Sequence, residues 1–234
     1  MDTLLTIVRV LPWADWVALV VFFGGWSGYA TFARQRTGAK QSLLALTNLE
    51  RHRWMLQSTR RDNRVLDGVV VQSLSASPSF FASTTILIIG GLLAVLSTSE
   101  QATEIVREIP FAARTSILVF DLKLVLLTAI FVYAFFRFTW SLRQYTFGAL
   151  LVASAPAFDQ YSEESQRQAF ADRAGRVMGL AAETFNDGLR GYYFAFAVTA
   201  WFFSAWAFMF GTLGVIWILY RREFHSEVLD VLRG

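Results

Sequence analysis

Two stretches of this chain, Gly68–Ser99 and Gly191–Tyr220, hold no charged side chain, and between them charges return in clusters rather than scattered. That alternation predicts helices crossing a low-dielectric layer, joined by polar segments. Gly191–Tyr220 is 30 residues long. As one helix it would measure about 45 Å, more than the ~30 Å of a bilayer core, so the pattern predicts a spanning helix with length to spare for tilt or extension. Trp13–Ala33 is apolar apart from Asp15 and predicts a first span; Met1–Pro12 carries one acid and one arginine, so this segment reads as a retained helix and not a cleaved signal. A second span is predicted near 78–97, with its apolar heart at Phe80–Leu96 and Pro78 marking a kink or a helix start. A third is predicted near 116–137. The uncharged stretch Gln144–Phe158 is too short to cross alone and is expected to continue that helix until Pro156 stops it.

Two polar segments separate the spans, near 34–77 and 144–188. Arg34–Asp67 carries Arg34, Arg36, Lys40, Arg51, Arg53, Arg60, Arg61 and Arg64 against three acids. Its middle has helix formers, but its leucines spread around the wheel, as in a helix packed between other elements and not one lying alone on lipid. Asp159–Asp187 predicts a helix over about Glu163–Phe185, capped by Ser162, with acids in the first turn where the helix dipole favours them. The eight basic residues of Arg34–Arg64 with Arg137, Arg143, Arg167, Arg173, Arg176 and Arg190 give fourteen on one side, against six on the other when Gly191–Tyr220 is counted as one crossing. The positive-inside rule then places both polar segments in the cytoplasm and both termini outside, although Arg221 and Arg222 fall on the sparse side.

Composition agrees with this solvent: 55% of residues are hydrophobic, 17% charged, and mean hydropathy is +0.43. The expected fold class is an all-α, polytopic membrane bundle of about four transmembrane helices with two cytoplasmic helical segments, forming one membrane domain over residues 1–234. With no cysteine, disulfides, thiolate metal sites and cysteine nucleophiles are excluded. His52 and His225 both lie outside the predicted spans, where an intramembrane haem would need its axial ligand. No phosphate-loop, dinucleotide, zinc-protease or nucleophile-elbow motif occurs.

Three blocks, FFASTTILIIGGLLAVL from Phe80, FTWSLRQYTFGALL from Phe138 and FNDGLRGYYFAFAVTAWFFSAWAFMF from Phe185, together with RRDNRVLD at Arg60–Asp67, resemble the bacterial membrane-protein family catalogued as domain of unknown function 599. The resemblance runs from the first span to Phe224. It implies a four-span bacterial membrane protein and brings no activity, cofactor or catalytic residue.

Candidate residues are the charges placed in or beside the spans. Asp121 and Lys123 point about 200° apart on one helix, so each needs a partner elsewhere. Asp15 is expected to meet Lys123, and Arg114 to reach Asp121. The set reads either as an outer vestibule for ions or protons, or as groups that snorkel and form structural pairs. Glu183, Asn186, Asp187 and Arg190 are expected to face Arg137 and Arg143, as a charged pore mouth or as an interhelix network. Glu163 with Glu164, and Glu183 with Asp187, read as caps and ion pairs before metal ligands. Gly24, Gly28, Gly90 and Gly91 are expected at close helix contacts, with Ser83–Thr85 hydrogen-bonding across helices. No catalytic, cofactor or metal site is expected, and nucleic acid is not an expected partner.

The expected function is that of a non-enzymatic structural or accessory protein of the bacterial inner membrane, oligomerising or joining another membrane complex. A homo-oligomeric channel or transporter is the alternative, and enzymatic activity is left open with the balance against it. Expected partners are the lipid bilayer, with anionic lipids at the basic loop, and a second copy or another membrane protein.

Overall fold

The 33 residues from Val65 to Ser97 form one uninterrupted helix that runs through Pro78, so the proline lies inside the helix and does not start it. The structure, a computed structural model, describes residues 11–38, 42–108 and 116–233. Every regular element among them is helical: α1 Trp13–Gly38, α2 Leu43–Ser58, α3 Val65–Ser97, α4 Ser99–Glu108, α5 Ile117–Ala153, α6 Glu164–Ala200, α7 Ala205–Phe224 and α8 Glu227–Arg233. Three stretches are long and apolar enough to cross a membrane: Trp13–Ala33 of α1, α3 and α5. As expected, α5 absorbs the uncharged stretch after Gln144, and Pro156 follows its end.

The last apolar run departs from expectation. Helix α6 rises out of the polar segment and continues without a break to Ala200; residues 201–204 then turn, and α7 begins at Ala205. Gly191–Tyr220 is therefore the end of one helix and most of another, not a single span. The two arms are antiparallel. A Cβ on Gly211 would lie 3.5 Å from Ala197 Cα, whereas a continuous helix would hold positions 197 and 211 about 21 Å apart. Arg222 likewise hydrogen-bonds the Tyr193 hydroxyl at 2.7 Å. Ser204 starts the returning arm as its cap, with its Oγ accepting from Ala207 N–H at 3.0 Å.

The helices contribute to two compact units. One draws on the chain up to Arg34, on Thr85–Tyr133 and on Arg190–Arg222. Its core is aromatic: Phe22 sits edge-on to Phe194 (5.6 Å) and against Phe208 (5.1 Å), Trp26 stacks on Phe194, and Trp201 stacks on Phe208. Within this unit α1 runs parallel to α7, because Asp15 bonds Trp201, Gly25 meets Ile216 and Phe32 meets Tyr220.

The second unit draws on Gln35–Thr84, Ala134–Leu189 and the chain after Glu223. Helix α6 presents small residues here, and neighbours approach closely: a Cβ on Gly175 would stand 3.0 Å from His52 Cα, and one on Gly188 would stand 2.5 Å from the Phe138 ring. Helix α2 begins at the capping Ser42, whose Oγ accepts from Ala45 N–H. The neighbouring Leu44 N–H donates to Glu223 Oε1 at 3.2 Å, and α8 packs on α2. The last turn of α7 thus supplies a carboxylate to a helix N-terminus, where the dipole favours negative charge.

Candidate functional site

Trp201 is where two charges set in the apolar stretches, Asp15 and Lys123, converge. It follows the last residue of α6, where helix carbonyls have no partner within the helix. Lys123, from the second turn of α5, donates from Nζ to the Trp201 carbonyl at 2.8 Å and is 2% exposed. A cation at this position also answers the negative end of the helix dipole. The same ammonium lies 5.3 Å from the Trp201 ring and 5.7 Å from Phe202. From the first turn of α1, buried Asp15 accepts a hydrogen bond from Trp201 Nε1. The expected meeting of Asp15 and Lys123 therefore happens through one residue, anion on the indole and cation on the main chain.

Asp121 is placed differently. Its Oδ1 is buried with no hydrogen-bond partner among the described residues, and Arg114, its expected partner, lies outside them. Further along this unit, Thr85 and Tyr192 share a hydrogen bond of 2.7 Å, as expected of a hydroxyl joining helices. Buried Arg190 lies over the Tyr29 ring, Arg222 over Tyr193 and Arg221 over Trp217.

The inner-mouth cluster is divided. Arg137 pairs with Asp187, which joins α5 to α6. Glu183 instead accepts from Asn48 Nδ2 at 3.0 Å, and Asn48 Oδ1 accepts from Arg51. Burial lowers the Arg51 pKa from its ordinary value, an effect opposed by Tyr145 and Glu183. Arg190 lies over the Tyr29 ring, Arg143 is exposed and Asn186 is half-buried.

The basic segment is not an array of free charges. Asp67, whose side chain is fully buried, accepts from both Arg61 and Trp54. Arg64 donates to the carbonyls of Ser58, Ala155 and Pro156, and Arg167 to those of Thr59 and Phe158. Arg60 pairs with Glu164, Arg53 with Glu50, and His52 with Asp172 at 2.8 Å. These contacts tie α2 and the start of α3 to the α5–α6 connection. Arg34 and Arg36 have no described side chain, and Lys40 lies outside the described residues.

Sequence reasoning misses Trp201 and Glu223, and the carbonyl partners of Arg64 and Arg167. Indole nitrogens and main-chain carbonyls carry no charge that would flag them as partners. Among the glycines expected at close contacts, a Cβ on Gly24, Gly28, Gly90 or Gly91 would meet nothing within 4 Å, whereas one on Gly25 would stand 2.7 Å from Ile216. Among the described residues, no three His, Asp or Glu side chains gather as a metal site.

A family model described as a protein of unknown function, DUF599, matches residues 17–228. No curated protein and no solved structure matches the chain.

Proposed function

We propose, from the premise that the chain belongs to the DUF599 family, that it is a five-pass plasma-membrane protein with a non-catalytic, accessory role, associating with a second membrane protein or a second copy through α3. The α6–α7 hairpin supports the fifth crossing. With both arms in the membrane, Arg221, Arg222 and Arg233 join the arginine-rich side, leaving Arg9, Arg107 and Arg114 opposite, so the exception to the positive-inside rule disappears. The N-terminus then lies outside the cytoplasm and the C-terminus inside, in place of the expectation that both lie outside. Glu223 capping α2 agrees, because it holds the end of α7 against the basic segment.

The exposure of α3 carries the association. Only 11% of its most apolar window is buried, against 39% for α5. Leu87 is 76% exposed, and beside it Gly90 and Gly91 have open space where a side chain would be. Glycine costs a helix roughly 1 kcal/mol relative to alanine, and close approach of another helix is what offsets that cost in membranes. The chain has no cysteine, so Leu87→Cys introduces a single thiol. Oxidative crosslinking in native membranes is expected to trap a copy or a partner at that position; a chain that stays monomeric and unlinked would refute association through α3. The channel alternative draws on Asp121, but Lys123 and Asp15 are bonded to Trp201 inside the protein. Ion flux into proteoliposomes that falls with Asp121→Asn would favour the channel over the accessory role.

A further inference from the structure

The face of the first unit between α1 and α7 carries an apolar groove of about 510 Å³, in the size range of small-molecule sites. Gly24 and Gly28 form its floor and are unfilled by any neighbour, while Leu213, Trp217, Tyr220 and Phe32 form its walls. From Leu213 to Tyr220 it runs about 10 Å along the helix, in the direction an acyl chain takes if α7 crosses the bilayer. At the Tyr220 end stands Arg221, exposed, with its guanidinium 5.6 Å from the ring of the wall residue Trp217. Among the described residues Arg221 has no carboxylate partner, which sets it apart from Arg137 and from Arg53, Arg60 and Arg61.

We propose that this groove binds one anionic phospholipid, its acyl chain lying over Gly24 and Gly28 and its phosphate held by Arg221. The charge at the groove's mouth selects this occupant. A second copy packing on the same face would gain from the glycine floor but would leave Arg221 unanswered, whereas a lipid phosphate satisfies it while the chain fills the floor. Trp217 is the hinge of the arrangement, as its ring walls the groove and also carries the cation. The inference rests on the proposed crossing of α7. It does not depend on association through α3, so failure of Leu87→Cys crosslinking leaves it standing, and a topology that puts Arg221 elsewhere is detected separately by sided labelling.

The test is native mass spectrometry of delipidated full-length protein in detergent, titrated with an equimolar mixture of phosphatidylglycerol and phosphatidylcholine. Wild type is expected to retain a single lipid with about a fivefold preference for phosphatidylglycerol, the contribution of one arginine near a surface. Arg221→Gln should bring that ratio to about one while lipid is still retained. Gly24→Leu/Gly28→Leu should lose the bound lipid, and it is expected to keep the wild-type circular dichroism because nothing occupies the space the new side chains enter. A wild-type ratio near one, or a ratio unchanged by Arg221→Gln, would overturn the proposal; because Arg221 is exposed, that arm holds even if the double leucine variant fails to fold. Wild-type dimer that Gly24→Leu/Gly28→Leu converts to monomer would also overturn it, showing a copy-to-copy face instead.

Discussion

Replacing Asp15 by leucine, which offers the indole no acceptor, tests whether the hairpin turn is held as the geometry shows. Asp15 touches Trp201 through the indole N–H, whereas Lys123 touches it through the main-chain carbonyl. Side-chain hydrogen bonds between membrane helices contribute about 0.6 kcal/mol on average and up to about 1.7. A buried, charge-assisted bond belongs at the upper end. Asp15→Leu is thus expected to cost about 1.5 kcal/mol, roughly a twelvefold shift in the unfolding equilibrium. In a Trp201→Phe background the indole donor is gone, so the same change should cost less than about 0.5 kcal/mol, a coupling of about 1 kcal/mol. Lys123→Met must behave otherwise, because phenylalanine at 201 still offers its carbonyl, so its cost of about 1–2 kcal/mol should persist in both backgrounds. The assay is equilibrium unfolding in mixed micelles, followed by tryptophan fluorescence and circular dichroism. Equal costs of Asp15→Leu in the two backgrounds would refute the indole bond, and loss of the Lys123→Met effect in Trp201→Phe would refute the carbonyl bond.

Three further outcomes follow from the packing and the basic segment. Gly188→Ala drives a Cβ to within 2.5 Å of the buried Phe138 ring and should cost about 1–3 kcal/mol in the same unfolding assay. Gly25→Leu should destabilise through Ile216 while Gly24→Leu does not, a contrast readable as a difference in melting temperature between two adjacent positions. Arg64→Met releases the carbonyls of Ser58, Ala155 and Pro156, so the connection between α5 and α6 should become sensitive to limited proteolysis with a stability loss of about 1–3 kcal/mol.

The membrane medium is legible in the sequence because a water-facing helix needs charged or polar side chains on its outer face, and the long uncharged runs offer too few of them. The continuation of α5 past Gln144 is legible too, since fifteen uncharged residues are too few to cross and nothing before Pro156 breaks the helix. The hairpin is not. Residues 199–204 contain no glycine, proline or charge, so the local signals of a turn are missing. Apart from the local cap of Ser204, the reversal is held by Lys123 and Asp15 from other helices, and tertiary contacts of that kind leave no mark at residues 199–204. Two facts hint at it: the run is about 15 Å longer than a bilayer core needs, and Arg221 and Arg222 sit on the wrong side when it is counted as one crossing. The charged candidates are legible as residues but not as pairs. Asp187 finds Arg137 as expected, while Glu183 goes to Asn48. The arginines of the basic segment read as solvated because their acceptors include main-chain oxygens, which every residue has and no sequence singles out.

The proposal that α6 and α7 both cross, the α6 arm entering before Gly191 through the buried Asp187 and Arg190, has a direct test that the absence of cysteine makes clean. Single cysteines at the exposed positions Arg53 in α2, Glu100 in α4 and Val231 in α8 can be labelled with an impermeant maleimide in oriented membrane vesicles. A double crossing predicts that Arg53→Cys and Val231→Cys react from the cytoplasmic face and Glu100→Cys from the opposite face. Reaction of Val231→Cys together with Glu100→Cys, and not with Arg53→Cys, would contradict it.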